Sequence, residues 1–364
     1  MINISSPLVG SDEIEAITKV LRSRALAQGT ETEEFEEAFA SYIGTKYAIA
    51  TNSGTAALHV ALLASGIGEG DEVITSPFSF IATANALLFC GAKPIFVDID
   101  EDTFNINPNL IRQKITPRTK AILPVHLYGQ PCDMKEIINI CDEHNLILLE
   151  DACQAHGAEY AGKRAGSFGV GCFSFYPTKN MTTGEGGMIT TDNENIAVKA
   201  RMLRSHGQSE RYVHEILGYN YRMTDMAAAI GICQLEKLDE FNHRRIDNAK
   251  FLSGEIARIK GLIPPFAVPN VRHIFHQFTV RVDKDFALSR DELQQRLSEH
   301  GVGSAIYYPL PIYRQPLYQK LGYDDNLPVS EKAAQEVLSL PVRPDLRQEE
   351  LDYIVESTLS CARQ

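Results

Sequence analysis

Two residues near the middle of the chain have the types and settings to act on one small ligand. Asp151 ends the apolar run LILLED, and Lys179 lies inside FSFYPTKN. An acid at the carboxyl end of a strand and a lysine from a separate loop suit pyridoxal 5′-phosphate. The acid keeps the ring nitrogen protonated, so that the ring draws electrons, and the lysine carries the cofactor as a Schiff base. Each residue alone has a plainer reading: a cap or solvated turn for Asp151, a surface charge for Lys179. The flanks of Lys179 favour chemistry, because they are aromatic and small where a surface lysine has charged neighbours. Burial there would disfavour the ammonium form and leave the amine nucleophilic. Gly184, Gly186 and Gly187 follow closely behind.

Four further positions could complete such a site. Ser53-Gly54-Thr55-Ala56 stands where the strand YAIATN gives way to a helix. A helix start offers free N–H groups and the positive end of the dipole to a phosphate, with Gly54 allowing close approach and Thr55 adding a hydroxyl. Plain capping by Ser53 is the other explanation. Phe80, in SPFSF, could stack on a pyridine face, for about 0.5–1.5 kcal/mol beyond its area, or simply pack in the core. Gln154, three residues past Asp151, could donate to a ring hydroxyl, and Ser174 could add a hydroxyl to the phosphate. A solvated amide and an ordinary strand serine are the alternatives.

The elements that must position these residues read clearly. Asp12 with Glu15 looks like a capping box opening a helix to about Arg24, and ETEEFEEAFASYIG a second helix closed by Gly44. The strands YAIATN, DEVITS, PIFVDI, AILPVH and LILLED then alternate with helices, one of them near Asn109 to Lys114. Such alternation predicts βαβ units, a mostly parallel sheet covered on both faces, and ligands beyond the carboxyl ends of its strands. From Thr224 an apolar pattern at helical spacing runs for more than thirty residues, either one long helix or a kinked pair. HQFTVRV, SRDELQQRLSEHG, GSAIYYPLP and RQEELDYIVESTLSCA complete a smaller α+β unit.

With 364 residues there is room for a large domain and a small one. The composition, 44% hydrophobic and 23% charged, is that of an ordinary globular protein. A net charge of −12 argues against a nucleic-acid surface, so a phosphate must be held locally. The apolar runs are too short to span a bilayer, and the N-terminus lacks the basic and apolar regions of a signal peptide. Seven scattered cysteines without a CxxC pair predict reduced thiols, no metal site and a cytoplasmic location.

Together NSGTAAL, EDACQAHGA, FSFYPTKN with the following TTGEGG, and LGYNYRMTD resemble the DegT/DnrJ/EryC1/StrS sugar aminotransferases, a family of fold type I pyridoxal phosphate enzymes. The resemblance covers essentially the whole chain. It implies an α/β, aspartate aminotransferase-like large domain over 1–240, with a mostly parallel seven-stranded sheet flanked by helices, and a smaller C-terminal α+β domain over 241–364. It implies transfer of an amino group from L-glutamate to a nucleotide-linked keto-deoxysugar. Lys179 would hold the cofactor and shuttle the proton, Asp151 would pair with the ring nitrogen, Gln154 with the ring hydroxyl, and Phe80 would stack. Gly54, Thr55 and Ser174 would hold the phosphate. Asn220 would reach the cofactor phosphate of the neighbouring subunit, which implies a homodimer with shared active sites. Tyr221, Arg222 and Tyr308 are candidates for gripping the sugar nucleotide. Relatives with histidine in place of the lysine are dehydratases, and others are linked to regulation; Lys179, Asp151 and the glycines together favour amino transfer. The segment MTTGEGG is more similar to perosamine-type enzymes, which aminate C4 of a 4-keto-6-deoxy sugar, than to those acting at C3.

Overall fold

The computed structural model describes residues 1–362. Its largest sheet has seven strands: β1 (Tyr47–Thr51), β2 (Glu72–Thr75), β3 (Lys93–Phe96), β4 (Thr119–Leu123), β5 (Ile147–Asp151), β6 (Val170–Ser174) and β7 (Gly187–Thr191). They lie side by side in the order β1-β7-β6-β5-β4-β2-β3. All neighbours pair in parallel except β7, which is antiparallel to both β1 and β6. The reversal has a local cause. Parallel strands need a long crossover, usually a helix, and the segment 175–186 between β6 and β7, which carries Lys179, contains none.

Both faces of the sheet are covered, as its continuous apolar runs require. Ile49, Leu149, Cys172 and Ile189 face a core shared with the apolar helices Gly54–Ala64 and Ala82–Phe89. Their chain neighbours Ala48, Ala50, Phe173 and Met188 face the other side, where Phe35, Phe39 and Phe175 pack edge to face. This is the period-two alternation of a strand buried on both sides.

A second core forms around the antiparallel sheet made by Leu262–Ile263, Phe278–Val282 and Val337–Leu340. It takes in Leu293, Leu297, Ile354 and, from the far N-terminus, Ile2. The long apolar pattern is one helix, Asp225–Ile256, capped by Thr224, whose hydroxyl accepts from Ala227 N–H at 3.3 Å. It passes through residue 240 without a break. Near its start Ala228 and Leu238 pack in the core behind the large sheet, and near its end Ala249, Leu252 and Ile256 join the second core.

Two expectations need correction, and one helix and strand were not foreseen. The first helix is Ser11–Ser23, and its cap is Gly10, whose N–H donates to Glu13 Oε2 at 2.8 Å. The helix begins two residues earlier than an Asp12 cap would require, so Asp12 is free to pair with Lys237 at 3.0 Å. The helix near Asn109 shrinks to Pro108–Ile111 and a 3₁₀ turn, Arg112–Lys114. Pro328–Glu336, a helix with proline in its first turn, and the strand after it had no counterpart in the sequence reading. The second helix does close at Gly44, in the left-handed conformation at φ 87°. Among the described residues, no helix is long and apolar enough to cross a membrane.

Candidate active site

A cavity of about 670 Å³ opens at the carboxyl edge of the large sheet, where β1, β2, β5 and β6 end. Gly54, Thr55, Phe80, Asp151, Gln154, Ser174, Lys179 and Tyr308 all line it. These come from chain positions more than 250 residues apart, brought together because β1, β2, β5 and β6 run the same way.

The alternation of β5 separates its two adjacent acids. Glu150, fully buried, turns away from the cavity into a closed nest. It accepts from the N–H groups of Gly166 (2.8 Å), Phe168 (2.8 Å) and Gly169 (2.9 Å), and from His126 Nε2 (3.0 Å). His126 Nδ1 accepts from Cys132 N–H at 3.1 Å, which places the imidazole proton on Nε2. Asp151, 4% exposed, turns the other way, to the cavity. Its Oδ2 accepts from the Thr83 hydroxyl at 2.7 Å and its Oδ1 from Cys153 N–H at 3.2 Å.

Lys179 enters from the loop between β6 and β7, its backbone N–H held by Tyr176 O at 2.9 Å. The side chain is half-buried, and among the described residues its Nζ has no hydrogen-bond or ion-pair partner. Burial pushes the ammonium below its ordinary pKa, while Cys153 and Asp151 pull it back up. Beneath it lie His156 and His276, both held neutral by burial, with the Lys179 charge acting in the same direction.

Facing these groups is the start of the helix Gly54–Ala64. Ser53 caps it by accepting from Ala56 N–H at 3.1 Å. The N–H groups of Gly54 and Thr55 find no acceptor among the described residues, so they stay available to an anion. A Cβ on Gly54 would lie 2.6 Å from Ser174 Cβ, and one on Gly187 would lie 2.4 Å from Ser53 O. The glycine cluster behind the lysine thus includes a residue that lets the Ser53 turn close onto β7. Gln154 is oriented from both ends: Oε1 accepts from Tyr128 N–H at 2.9 Å, and Nε2 donates to Tyr308 OH at 3.2 Å. One N–H of that amide is left over. Phe80, 56% exposed, stands at the mouth with its ring 6.4 Å from that of Tyr308.

Three named residues lie outside this cavity. Tyr221 stacks on Tyr219 at 5.0 Å and accepts from Asn52 N–H, with its hydroxyl 3.5 Å from His59. Asn220 is exposed and bridges to Ser205, and Arg222 follows them on the same loop. Conversely, the cavity contains Ser79, Thr83, Glu185, His276 and Gln277, which the sequence reading did not single out. Ser79 and Thr83 left a signal, two hydroxyls at i and i+4 in the otherwise apolar PFSFIATANALLF. His276 and Gln277 left none, since they lie just before the strand Phe278–Val282 and reach the cavity only through the tertiary fold.

The fold is that of the aminotransferases among solved structures. A putative sugar aminotransferase from Streptococcus pneumoniae, Spr1654 in its PMP form, superposes with a TM-score of 0.95 at 29% identity, over 100% of this chain and 98% of that one. The DegT/DnrJ/EryC1/StrS aminotransferase family model matches residues 7–359, and the chain belongs to that family. A pleiotropic regulatory protein of Geobacillus stearothermophilus is 43% identical, over 94% of this chain and 92% of its own. GDP-perosamine synthase of Caulobacter vibrioides is 41% identical, over 97% and 96%. The dTDP-3-amino-3,4,6-trideoxy-α-D-glucose transaminase of Streptomyces venezuelae is 40% identical, over 96% and 92%.

Proposed function

We propose that this chain is a pyridoxal 5′-phosphate-dependent aminotransferase that moves an amino group from L-glutamate onto a nucleotide-linked keto-deoxysugar, specifically a 4-keto-6-deoxy sugar. The observation that carries the reading is the meeting of Lys179 and Asp151 at one cavity, opposite a helix start with free N–H groups. The residues present fit the cofactor: a cradle where a Gly54 side chain would collide with Ser174, and a lysine amine without a partner among the described residues.

When bound, the cofactor supplies a ring that withdraws electrons from the carbon losing its proton. Lys179 would hold the cofactor through its amine and, once released, carry the proton on Nζ. Its depressed basicity keeps a larger share of that amine uncharged. Asp151 would accept the ring N–H, and the spare N–H of Gln154 would meet the ring hydroxyl. Phe80 would cover one ring face. Gly54, Thr55 and Ser174 would hold the phosphate.

The segment after Lys179 and the name of the Caulobacter relative support amination at C4; the name of the Streptomyces relative speaks for C3. Tyr308 would contact the sugar from within the cavity. A dicarboxylate donor and a nucleotide diphosphate need positive charge, yet among the described residues the cavity's basic side chains are Lys179 and the neutral His276. This supports a homodimer whose partner subunit completes each site through the loop bearing Asn220, Tyr221 and Arg222. The reading also includes a large domain over 1–240, a small one over 241–364 sharing the Asp225–Ile256 helix, and a cytoplasmic location that keeps the free thiols reduced.

Adding glutamate to purified holoenzyme should bleach the visible absorbance of the lysine-bound cofactor and release 2-oxoglutarate. A panel of 4-keto and 3-keto nucleotide sugars then identifies the acceptor. An absorbance unmoved by glutamate and by every sugar would end the proposal. For the dimer, Lys179→Ala and Asn220→Ala proteins, each inactive, should recover about a quarter of wild-type activity when refolded together, because half the dimers are mixed and each holds one intact site. No recovery would mean that Asn220 does not act across the interface.

A further inference from the structure

Asp151 is not aimed by its strand alone. Thr83, the second residue of the helix Ala82–Phe89, donates its hydroxyl to Asp151 Oδ2 at 2.7 Å, and Ser79 Oγ lies 2.9 Å from Thr83 Oγ1. Ser79, Thr83 and Asp151 are 4%, 1% and 4% exposed. The proton inventory fixes the direction of this chain. An ionised carboxylate only accepts, so the single hydroxyl proton of Thr83 is committed to Asp151, and Ser79 must supply the proton shared with Thr83. Threonine within a helix ordinarily turns its hydroxyl to a carbonyl three or four residues back. Here the hydroxyl leaves its own helix and crosses to the end of β5.

Together with Cys153 N–H on Oδ1, this bond holds one lone pair of each carboxylate oxygen. The geometry points to Thr83, oriented by Ser79, as a positioning residue that sets the plane of the Asp151 carboxylate toward the cofactor's pyridine nitrogen. The inference rests on the role proposed for Asp151. It assigns to the SFIAT segment a task separate from packing. Phe80 lies between the two hydroxyl residues, so one turn of chain both covers the ring and aims the acid beneath it.

The test compares Thr83→Val, Thr83→Ser, Ser79→Ala and Asp151→Asn with the wild type as dimeric protein. Three quantities are read: the dissociation constant for pyridoxal phosphate, the visible spectrum of the bound cofactor, and the melting temperature of the cofactor-free form. Thr83→Val keeps the shape and removes the donor. It should raise the dissociation constant about tenfold, the effect of one hydrogen bond to a charged group, and shift the absorbance band. Thr83→Ser should restore both, and Ser79→Ala should move both in the same direction by less. A Thr83→Val protein with wild-type affinity and spectrum overturns the inference, as does a Thr83→Ser protein that fails to restore them. Should Thr83→Val not fold, wild-type behaviour of Ser79→Ala overturns it equally. If Asp151→Asn itself binds and absorbs like wild type, the role of Asp151 is wrong and this inference falls with it. If Asp151→Asn is impaired while Thr83→Val is not, only the positioning role is lost.

Discussion

Glu150 and Asp151 are neighbours in the chain whose carboxylates serve opposite sides of the same strand. One is sealed among three backbone N–H groups and an imidazole; the other opens to the cavity. A strand reverses side at each residue, so a one-residue slip of β5 would exchange the two acids.

That division of labour predicts opposite phenotypes. Glu150→Ala strands one buried and two part-buried N–H groups and the buried His126 ring, and should cost about 3 kcal/mol of stability in urea unfolding. Asp151→Ala should leave unfolding much less affected but weaken cofactor binding. Equal losses of stability from the two variants would contradict the assignment.

The close approach of Gly54 to Ser174 is equally testable. Gly54→Ala forces apart two backbone segments, with the new Cβ 2.6 Å from Ser174 Cβ, and should cost about 1–3 kcal/mol in stability while weakening cofactor binding. Adding Ser174→Gly should return part of the stability, because it removes the atom in the way. Strictly additive losses in the double variant would show that the two positions do not collide.

Lys179 makes a pH-dependent contribution whose sign follows from burial. Its folded pKa lies below the ordinary 10.5, so between the two values the unfolded chain holds more protons than the folded one. The stability of the cofactor-free protein should therefore rise with pH through that interval, and Lys179→Met should flatten the rise. The same variant should show no Schiff-base absorbance and no turnover. A cofactor-free protein whose alkaline stability profile is identical with and without Lys179 would refute the buried-amine account.

His156 shapes the acid side. Its ring sits between Phe173 and Phe175, at 5.4 and 5.7 Å, is 1% exposed, and burial pushes its pKa from 6.5 down to about 3. As pH falls below 6.5 the unfolded chain takes up the proton first. Stability contributed by the neutral ring is intact above 6.5 and is lost at up to about 1.4 kcal/mol per pH unit until about pH 3. His156→Phe should make this limb shallower by about one proton; a denaturation profile that superimposes on wild type would exclude the residue as a source of acid sensitivity.

Local chemistry along the chain was enough to find five of the seven strands of the large sheet, the cap at Ser53, the stop at Gly44, the apolar helical run from Thr224 and seven of the residues that line the cavity, Tyr308 coming only from the family resemblance. Each of these is written in short-range signals: apolar periodicity, capping types, glycine at a close approach. The Asp12 cap was misplaced because several acids stand within one turn, and only the docking of Glu13 against Gln234 and Lys237 selects the register. Strand order, the reversal of β7 and the arrival of His276 and Gln277 at the cavity had no local signal. They follow from how β-strands pair across long stretches of chain and from which face each strand turns inward. The sequence by itself determined the kinds of groups the site contains and the segments that carry them. The tertiary structure alone decided which of those groups meet, since only packing brings the ends of β1, β2, β5 and β6 to one edge and leaves Asn220, Tyr221 and Arg222 out of the cavity's lining.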